Sequence, residues 1–262
     1  MIYDLSLLII RGTEEVSEEI TQIEEVKEKQ SHGLTMTEAI RNLARPDVRT
    51  PFLLITANCL FTMLSGPFAI IFYSVEIFQD TGIDKYLASV MSAVIRVLGS
   101  VLGIFLVHKL PRVKLSMVMM TLMSISMAIL GTVLYLNVLT DIVPIISVTL
   151  YMFCYGAGAA PLMWVYLGEL LPREYKVLSG IIIFIMNISI FIVTKIFPTL
   201  LAILSPAGTY WLFAAISLSS NILYVFFMPE TSGKSAAEIK RIFVKIVRQV
   251  SRKLSRQLSS KV

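Results

Sequence analysis

Apolar residues fill six long stretches of the chain between Thr50 and Phe227, and nearly all lysine and arginine residues lie outside them. A helix needs about 20 apolar residues to cross a hydrocarbon core of about 30 Å. The pattern therefore predicts six membrane-spanning helices and leaves little chain for a soluble domain. The predicted spans are residues 52–78, 86–107, 115–136, 142–170, 179–200 and 210–227.

The composition agrees with this prediction. Of the 262 residues, 56% are hydrophobic and 16% are charged, whereas a soluble domain usually has about 25% charged residues. We therefore predict an all-α membrane protein and exclude soluble folds. Helices of a membrane bundle tolerate glycine and proline because neighbouring helices satisfy the freed backbone groups. Broken helices are expected at Gly66, Pro67, Gly99, Gly103, Gly156, Gly158 and Pro161.

Positive charge near the span ends predicts the orientation. Residues 108–114, residues 172–176 and the tail from Lys234 are basic, whereas Lys85 is the one basic residue of the opposite loops. Basic loops are retained on the cytoplasmic side, so both termini should be cytoplasmic. The net charge of +5 is concentrated in the tail, next to an anionic inner leaflet. It therefore indicates topology and no nucleic-acid partner.

Three regions are predicted along the chain. Residues 1–50 read as a cytoplasmic helical linker, residues 51–228 as a six-helix transmembrane bundle, and residues 229–262 as a cytoplasmic basic tail. In the linker, Thr35 and Glu38 should form a capping box for a helix that ends before Pro46. Ser235 and Glu238 should do the same in the tail, whose amphipathic helix would lie on the inner membrane surface or bind calmodulin.

Residues with reactive or metal-binding side chains are isolated. Cys59 and Cys154 lie inside predicted spans, where they read as packing residues. His32 and His108 have no cysteine or acidic companions at ligand spacing. We therefore expect no metal, no cofactor and no enzymatic activity.

Several ordered motifs flank the spans, and together they resemble the sugar porter family of the major facilitator superfamily. The motifs are Leu64-Ser65-Gly66, Phe72-Tyr73-Ser74, Gly158-x-x-Pro161-x-x-Trp164-x-x-x-x-Glu169-x-x-Pro172 and Pro229-Glu230-Thr231-x-Gly233-Lys234. Within the family, insect facilitated trehalose and glucose transporters are the most similar in appearance, over about residues 10–247. The resemblance implies two six-helix bundles with a sugar held between them at mid-membrane. This chain corresponds to the linker and the C-terminal bundle, so a complementary N-terminal bundle is an expected partner.

The resemblance also implies a cytoplasmic charge network that acts as a gate. Glu169 and Lys176 match the family's Glu-x6-Arg pair, although lysine cannot make the bidentate contact of arginine. Arg112, in the loop after the second span, and Glu230 are their expected partners. Breaking and reforming such ion pairs would bias inward-facing and outward-facing states.

The expected sugar-binding residues are Thr62, Phe68, Arg96, Trp164 and Asn187. Family members usually have Gln, Asn and Asn at Thr62, Phe68 and Arg96, so hydroxyl-reading side chains are lost here. Gln, Trp and Asn of the family are likewise replaced by Met63, Ile188 and Phe191. Trp164 could stack on a pyranose ring or pack at a bundle interface. Arg96 could face the central cavity or join two helices.

These observations predict a facilitated sugar transporter of the plasma membrane, carrying a sugar such as trehalose or glucose by alternating access, and half-length or incomplete. One alternative is a non-transporting membrane module that binds a transporter or senses solute. Another is an incomplete record of a longer protein.

Overall fold

The computed structural model describes residues 35–79, 84–137, 142–171, 175, 177–234 and 238, which form helices and connecting turns with no strand among them. A π-helical turn, Tyr155–Ala159, lies between the helix that ends at Cys154 and the helix that begins at Ala160. The helices are α1 Met36–Asn42, α2 Pro46–Leu64, α3 Pro67–Phe72, α4 Ser74–Ile77, α5 Lys85–Lys109, α6 Arg112–Tyr135, α7 Ile142–Cys154, α8 Ala160–Leu170 and α9 Val177–Phe226. The predicted all-helical membrane fold is thereby confirmed.

Five helical stretches in the described part of the chain are long and apolar enough to cross a membrane, and the last of them, α9, has 50 residues. A straight helix of that length would measure about 75 Å, more than twice the hydrocarbon thickness. Helix α9 is interrupted at Ser205, whose φ of 63° and ψ of 164° are not helical. The fifth and sixth predicted spans lie on either side of this residue.

The chain turns back on itself at Ser205. Phe197 and Phe213 would be about 24 Å apart along one straight helix, but their rings stack with centroids 6.0 Å apart. Pro206 explains the interruption, because it has no N–H for the helix and disfavours helical geometry in the residue before it. The Ser205 hydroxyl then accepts the N–H of Gly208 as the cap of the second arm. Helix α9 therefore supplies two antiparallel crossings, and the described residues form six in all.

The second arm of α9, residues 206–226, packs along α6 through hydrogen bonds as well as apolar contacts. The Ser124 hydroxyl donates to the carbonyl of Ala214 at 2.8 Å. The Asn221 amide donates to the Thr121 hydroxyl, also at 2.8 Å. These polar contacts fix the relative position of two helices in a medium where apolar surface alone gives no preference.

The first crossing breaks between α2 and α3, as the Gly66-Pro67 pair predicts. Gly66 has a φ of 97°, which favours glycine, and a Cβ there would lie 2.5 Å from the ring of Phe213. The break frees the carbonyl of Ser65, which accepts the Tyr151 hydroxyl at 2.9 Å. A side chain from α7 thus satisfies a backbone group that the interrupted helix cannot.

The fourth crossing has its irregular turn where Gly156, Gly158 and Pro161 predict one. Pro161 has no N–H to donate to the preceding turn, and the Ala160 N–H instead bonds the carbonyl of Tyr155, five residues back. Such π-helical turns are local widenings of a helix. The helix is widened without being separated into two pieces.

Gly99 and Gly103 differ from the expectation, because α5 is unbroken at both positions. These glycines instead allow close packing of α5 on the π-helical turn. A Cβ on Gly103 would lie 2.7 Å from the carbonyl oxygen of Ala157, and one on Gly156 would lie 2.3 Å from that of Arg96. Small residues four apart commonly permit such backbone approach in membranes.

The end of the predicted linker is a short helix, α1. Its capping box is present: the Thr35 hydroxyl accepts the N–H of Glu38, and the Glu38 carboxylate accepts the N–H and hydroxyl of Thr35. These two donors lower the pKa of Glu38, the backbone N–H having the larger effect. Helix α1 ends at Asn42, before Pro46 as predicted. Residues 1–34 of the predicted linker, Ser235 and most of the tail lie outside the described residues.

The close approach of α5 to the π-helical turn yields a stability prediction. Gly156→Ala should lower the unfolding free energy of the detergent-solubilised protein by about 1–3 kcal/mol, because the added methyl meets the Arg96 carbonyl. Gly168→Ala is the matched control, since a Cβ there meets nothing within 4 Å. Thermal unfolding of both variants measures the difference. Equal melting temperatures would contradict the packing assigned to Gly156.

Candidate functional site

Charged side chains from distant parts of the sequence meet at one end of the bundle. Helix α6 begins there at Arg112, α8 ends just beyond Glu169, and Glu230 follows the end of α9. The two carboxylate oxygens of Glu230 accept the backbone N–H groups of Arg112 and Val113 at 2.9 and 3.1 Å. A carboxylate is stabilised in this position because the N–H groups of the first turn have no partner within the helix.

Arg112 joins the other members of this group. Its guanidinium pairs with the Glu169 carboxylate and donates to the Thr231 hydroxyl at 3.1 Å. The Arg112 and Glu169 side chains are 17% and 32% exposed, so water screens their attraction only in part. We call Arg112, Glu169, Glu230 and Thr231 the charge cluster. Lys176, the fourth expected member of the gate, lies outside the described residues.

Two of the five expected sugar-binding residues lie on either side of Tyr155. Phe68 meets the Tyr155 ring edge-on with centroids 6.5 Å apart. The Arg96 backbone packs against Gly156, the residue after Tyr155. Arg96 also lines a small pocket between the first, second and fourth crossings. The structure thus brings Phe68 and Arg96 into one neighbourhood.

The other three expected residues lie elsewhere. Thr62 is completely buried, and its hydroxyl donates to the carbonyl of Asn58 at 2.9 Å. Asn187 is exposed on α9, where its amide donates to the carbonyl of Ile183. Trp164 is 50% exposed on α8. None of these three lines the pocket at Arg96, and the hydrogen-bonding groups of Thr62 and Asn187 are already engaged with their own helices.

Buried hydrogen bonds between distant side chains could not be predicted from the sequence, and one of them joins the first crossing to the last. The Tyr224 hydroxyl donates to the Asn58 side chain at 2.6 Å, although the two residues are 166 positions apart. Ser116 and the Tyr166 hydroxyl share a hydrogen bond of 3.2 Å, which joins α6 to α8. Polar side chains inside apolar spans are the sequence signal for such contacts, but the signal does not reveal the partner.

The six crossings, the broken first helix, the π-helical turn of the fourth crossing and the charge cluster define a half-bundle of the major facilitator type. A model of the family described as "Sugar (and other) transporter" matches residues 5–243, and the chain belongs to this family.

Curated relatives agree with this family assignment. The facilitated trehalose transporter Tret1 of Apis mellifera ligustica is 29% identical over 255 residues, covering 94% of this chain and 51% of that protein. Its namesake from Polypedilum vanderplanki is 32% identical over 222 residues, covering 81% and 44%. This chain therefore spans about half the length of the curated relatives it matches.

Solved structures match the fold. The proton:xylose symporter XylE bound to 6-bromo-6-deoxy-D-glucose superposes with a TM-score of 0.67 at 25% identity, covering 73% of this chain and 42% of that one. An inward-open structure of XylE from E. coli superposes with a TM-score of 0.69 at 22% identity, covering 91% and 49%. The second likeness concerns the fold alone.

The bidentate role of Glu230 can be tested by an isosteric change. The carboxylate accepts the backbone N–H groups of Arg112 and Ser232 on one oxygen and that of Val113 on the other. Glu230→Gln places an NH₂ group against the N–H groups on one side, so the variant should lose about 1–2 kcal/mol of stability. Glu76→Gln is the control, because Glu76 is exposed on the short helix α4. Chemical unfolding in detergent should separate the two variants. An unchanged midpoint for Glu230→Gln would contradict the capping role.

Proposed function

We propose that this chain acts in facilitated sugar transport, moving a sugar such as trehalose or glucose across the membrane by alternating access. The charge cluster is the observation that supports this proposal most. It links the ends of the third, fourth and sixth crossings through one ion pair and a set of hydrogen bonds. Such contacts can break together and so favour one of two discrete states over the other.

The family of the chain and its named relatives support the same proposal. Two of those relatives are described as facilitated trehalose transporters. Because the chain spans about half of their length, we propose that a complementary N-terminal six-helix bundle supplies the second wall of the transport path. Lys176 is proposed to complete the gate opposite Glu169. The proposed regions are the linker 1–50, the bundle 51–228 and the tail 229–262.

A non-transporting membrane module that binds a transporter or senses solute is the second candidate. The side chains at the expected sugar-binding positions favour this second candidate. Thr62 is buried with its hydroxyl engaged, and Phe68 offers a ring that contacts Phe72 and Tyr155. A site that recognises hydroxyls loses discrimination when its hydrogen-bonding groups are missing.

An uptake experiment separates the two candidates. The chain should be reconstituted into liposomes alone and with the co-expressed N-terminal half of the Apis mellifera ligustica relative, and uptake of labelled trehalose and glucose should be measured. Transport predicts saturable uptake in at least one preparation. Glu169→Gln should slow it several-fold, because the ion pair with Arg112 is lost, whereas the exposed Glu76→Gln should not. A failure of both preparations to take up either sugar would favour the non-transporting module.

The proposed orientation has both termini in the cytoplasm of a plasma-membrane protein, and cysteine labelling tests it. Lys85 and Lys109 lie at opposite ends of α5, and both native cysteines are buried. An impermeant maleimide should label Lys85→Cys in intact cells and label Lys109→Cys only after permeabilisation. The reverse result would overturn the orientation, and no labelling of either variant in intact cells would argue against the plasma membrane.

A further inference from the structure

Arg96 places a half-buried positive charge near the middle of a membrane-spanning helix. It is the twelfth of the 25 residues of α5, about 17 Å along the axis from the first residue and about 20 Å from the last. Within the part of the chain that the structure describes, no carboxylate forms an ion pair with it. A guanidinium at this depth is costly unless an acceptor lies close to it, and such residues are functional by default.

Arg96 lines a pocket, which we call the Arg96 pocket. Its described lining comes from Ile70 to Ser74, from α5 between Ser89 and Arg96, and from α7. The pocket is partly open and has a volume of about 50 Å³, well below the about 300–1,000 Å³ of sites that enclose a whole small molecule, so a ligand would enter it by one group and keep the rest of its ring at the mouth. Val148 and Met152 supply an apolar wall. Among the described lining residues, Arg96 alone is charged.

The serines of the Arg96 pocket are arranged to accept hydrogen bonds. The Ser89 hydroxyl donates its hydrogen to the carbonyl of Lys85 at 2.8 Å, and the Ser74 hydroxyl donates to that of Ile71 at 3.2 Å. Each oxygen keeps lone pairs that can accept a hydrogen from a ligand. Ser92 shares its hydrogen bond with Thr149 at 3.1 Å. The strong donors of the pocket therefore belong to Arg96, and its acceptors belong to the serines.

We infer that the Arg96 pocket binds an acidic monosaccharide, with the Arg96 guanidinium on the ligand's carboxylate and Ser74 and Ser89 accepting hydrogens from its hydroxyl groups. A carboxylate has the planar pair of oxygens that the guanidinium fork binds in bidentate fashion. Its single negative charge equals the single positive charge of the pocket. A neutral sugar would leave that charge unpaired. This inference rests on the proposed function and narrows it to a substrate class.

Direct binding tests the inference without requiring transport. The purified chain in lipid nanodiscs should bind D-glucuronate at least tenfold more tightly than D-glucose, two probes that share the same ring and differ at C6. Arg96→Gln should reduce this preference to less than twofold. Lys195→Gln is the matched control, because Lys195 is exposed on α9, outside the pocket, and should leave the preference unchanged. Ser89→Ala should weaken both probes by a similar factor and keep the preference.

Several results would overturn the inference. These are equal binding of the two probes, a preference that persists in Arg96→Gln, and tighter binding of glucose 6-phosphate than of glucuronate, which would assign the pocket to phosphate esters. Melting temperatures report whether Arg96→Gln is folded. If it is not, the expected equal weakening of both probes by Ser89→Ala still tests the pocket. The proposed transport function can fail separately: glucuronate binding that depends on Arg96, without uptake of any sugar, would support the pocket and reject transport.

Discussion

Hydrocarbon offers no hydrogen-bonding partner, so a polar group inside the crossings of this protein is costly unless the protein itself satisfies it. This constraint explains contacts that would otherwise seem unrelated. Tyr151 donates to the carbonyl that the break before Gly66 sets free, and the Ala160 N–H reaches five residues back where Pro161 cannot contribute. Helix breaks are therefore tolerated only where another group replaces the lost hydrogen bond. Both breaks lie in crossings that contact the Arg96 pocket, so irregular backbone and polar side chains share one region.

The same constraint separates two kinds of charge. At the end of the bundle, Arg112 is surrounded by acceptors from the Glu169 and Thr231 side chains, while Glu230 caps the helix that Arg112 begins. The chain itself therefore supplies the carboxylate that pairs with Arg112, although the Arg112 Nε is buried without a partner. Arg96 has no such carboxylate among the described residues, although it lies near the middle of a membrane-spanning helix. The contrast indicates that Arg112 holds the helices of the chain together, whereas Arg96 is placed to bind a ligand.

Much of this architecture follows from the sequence, for identifiable reasons. Hydropathy reveals the crossings because length and apolarity are set by the bilayer, and Gly66-Pro67 and Pro161 mark the breaks because their backbone chemistry is local. The turn at Ser205 falls between the fifth and sixth predicted spans, although it was not among the expected breaks, and Pro206 explains it. Side-chain contacts between distant segments do not follow. Thr62 occupies a position where the family has a polar binding residue, yet helix rotation directs it into the bundle. The Asn58–Tyr224 contact joins residues 166 positions apart, and no periodicity encodes such a pairing.

The turn at Ser205 has a consequence for how the protein enters the membrane. The two arms of α9 are joined by a single non-helical residue, and Phe197 and Phe213 already stack against one another across the turn. No polar loop therefore separates the first arm from the second arm during membrane insertion. The two arms are therefore suited to leave the translocation channel together, as a preassembled helical hairpin, with their mutual contacts formed before either meets α6. The final pair of crossings would then be a single unit of biogenesis.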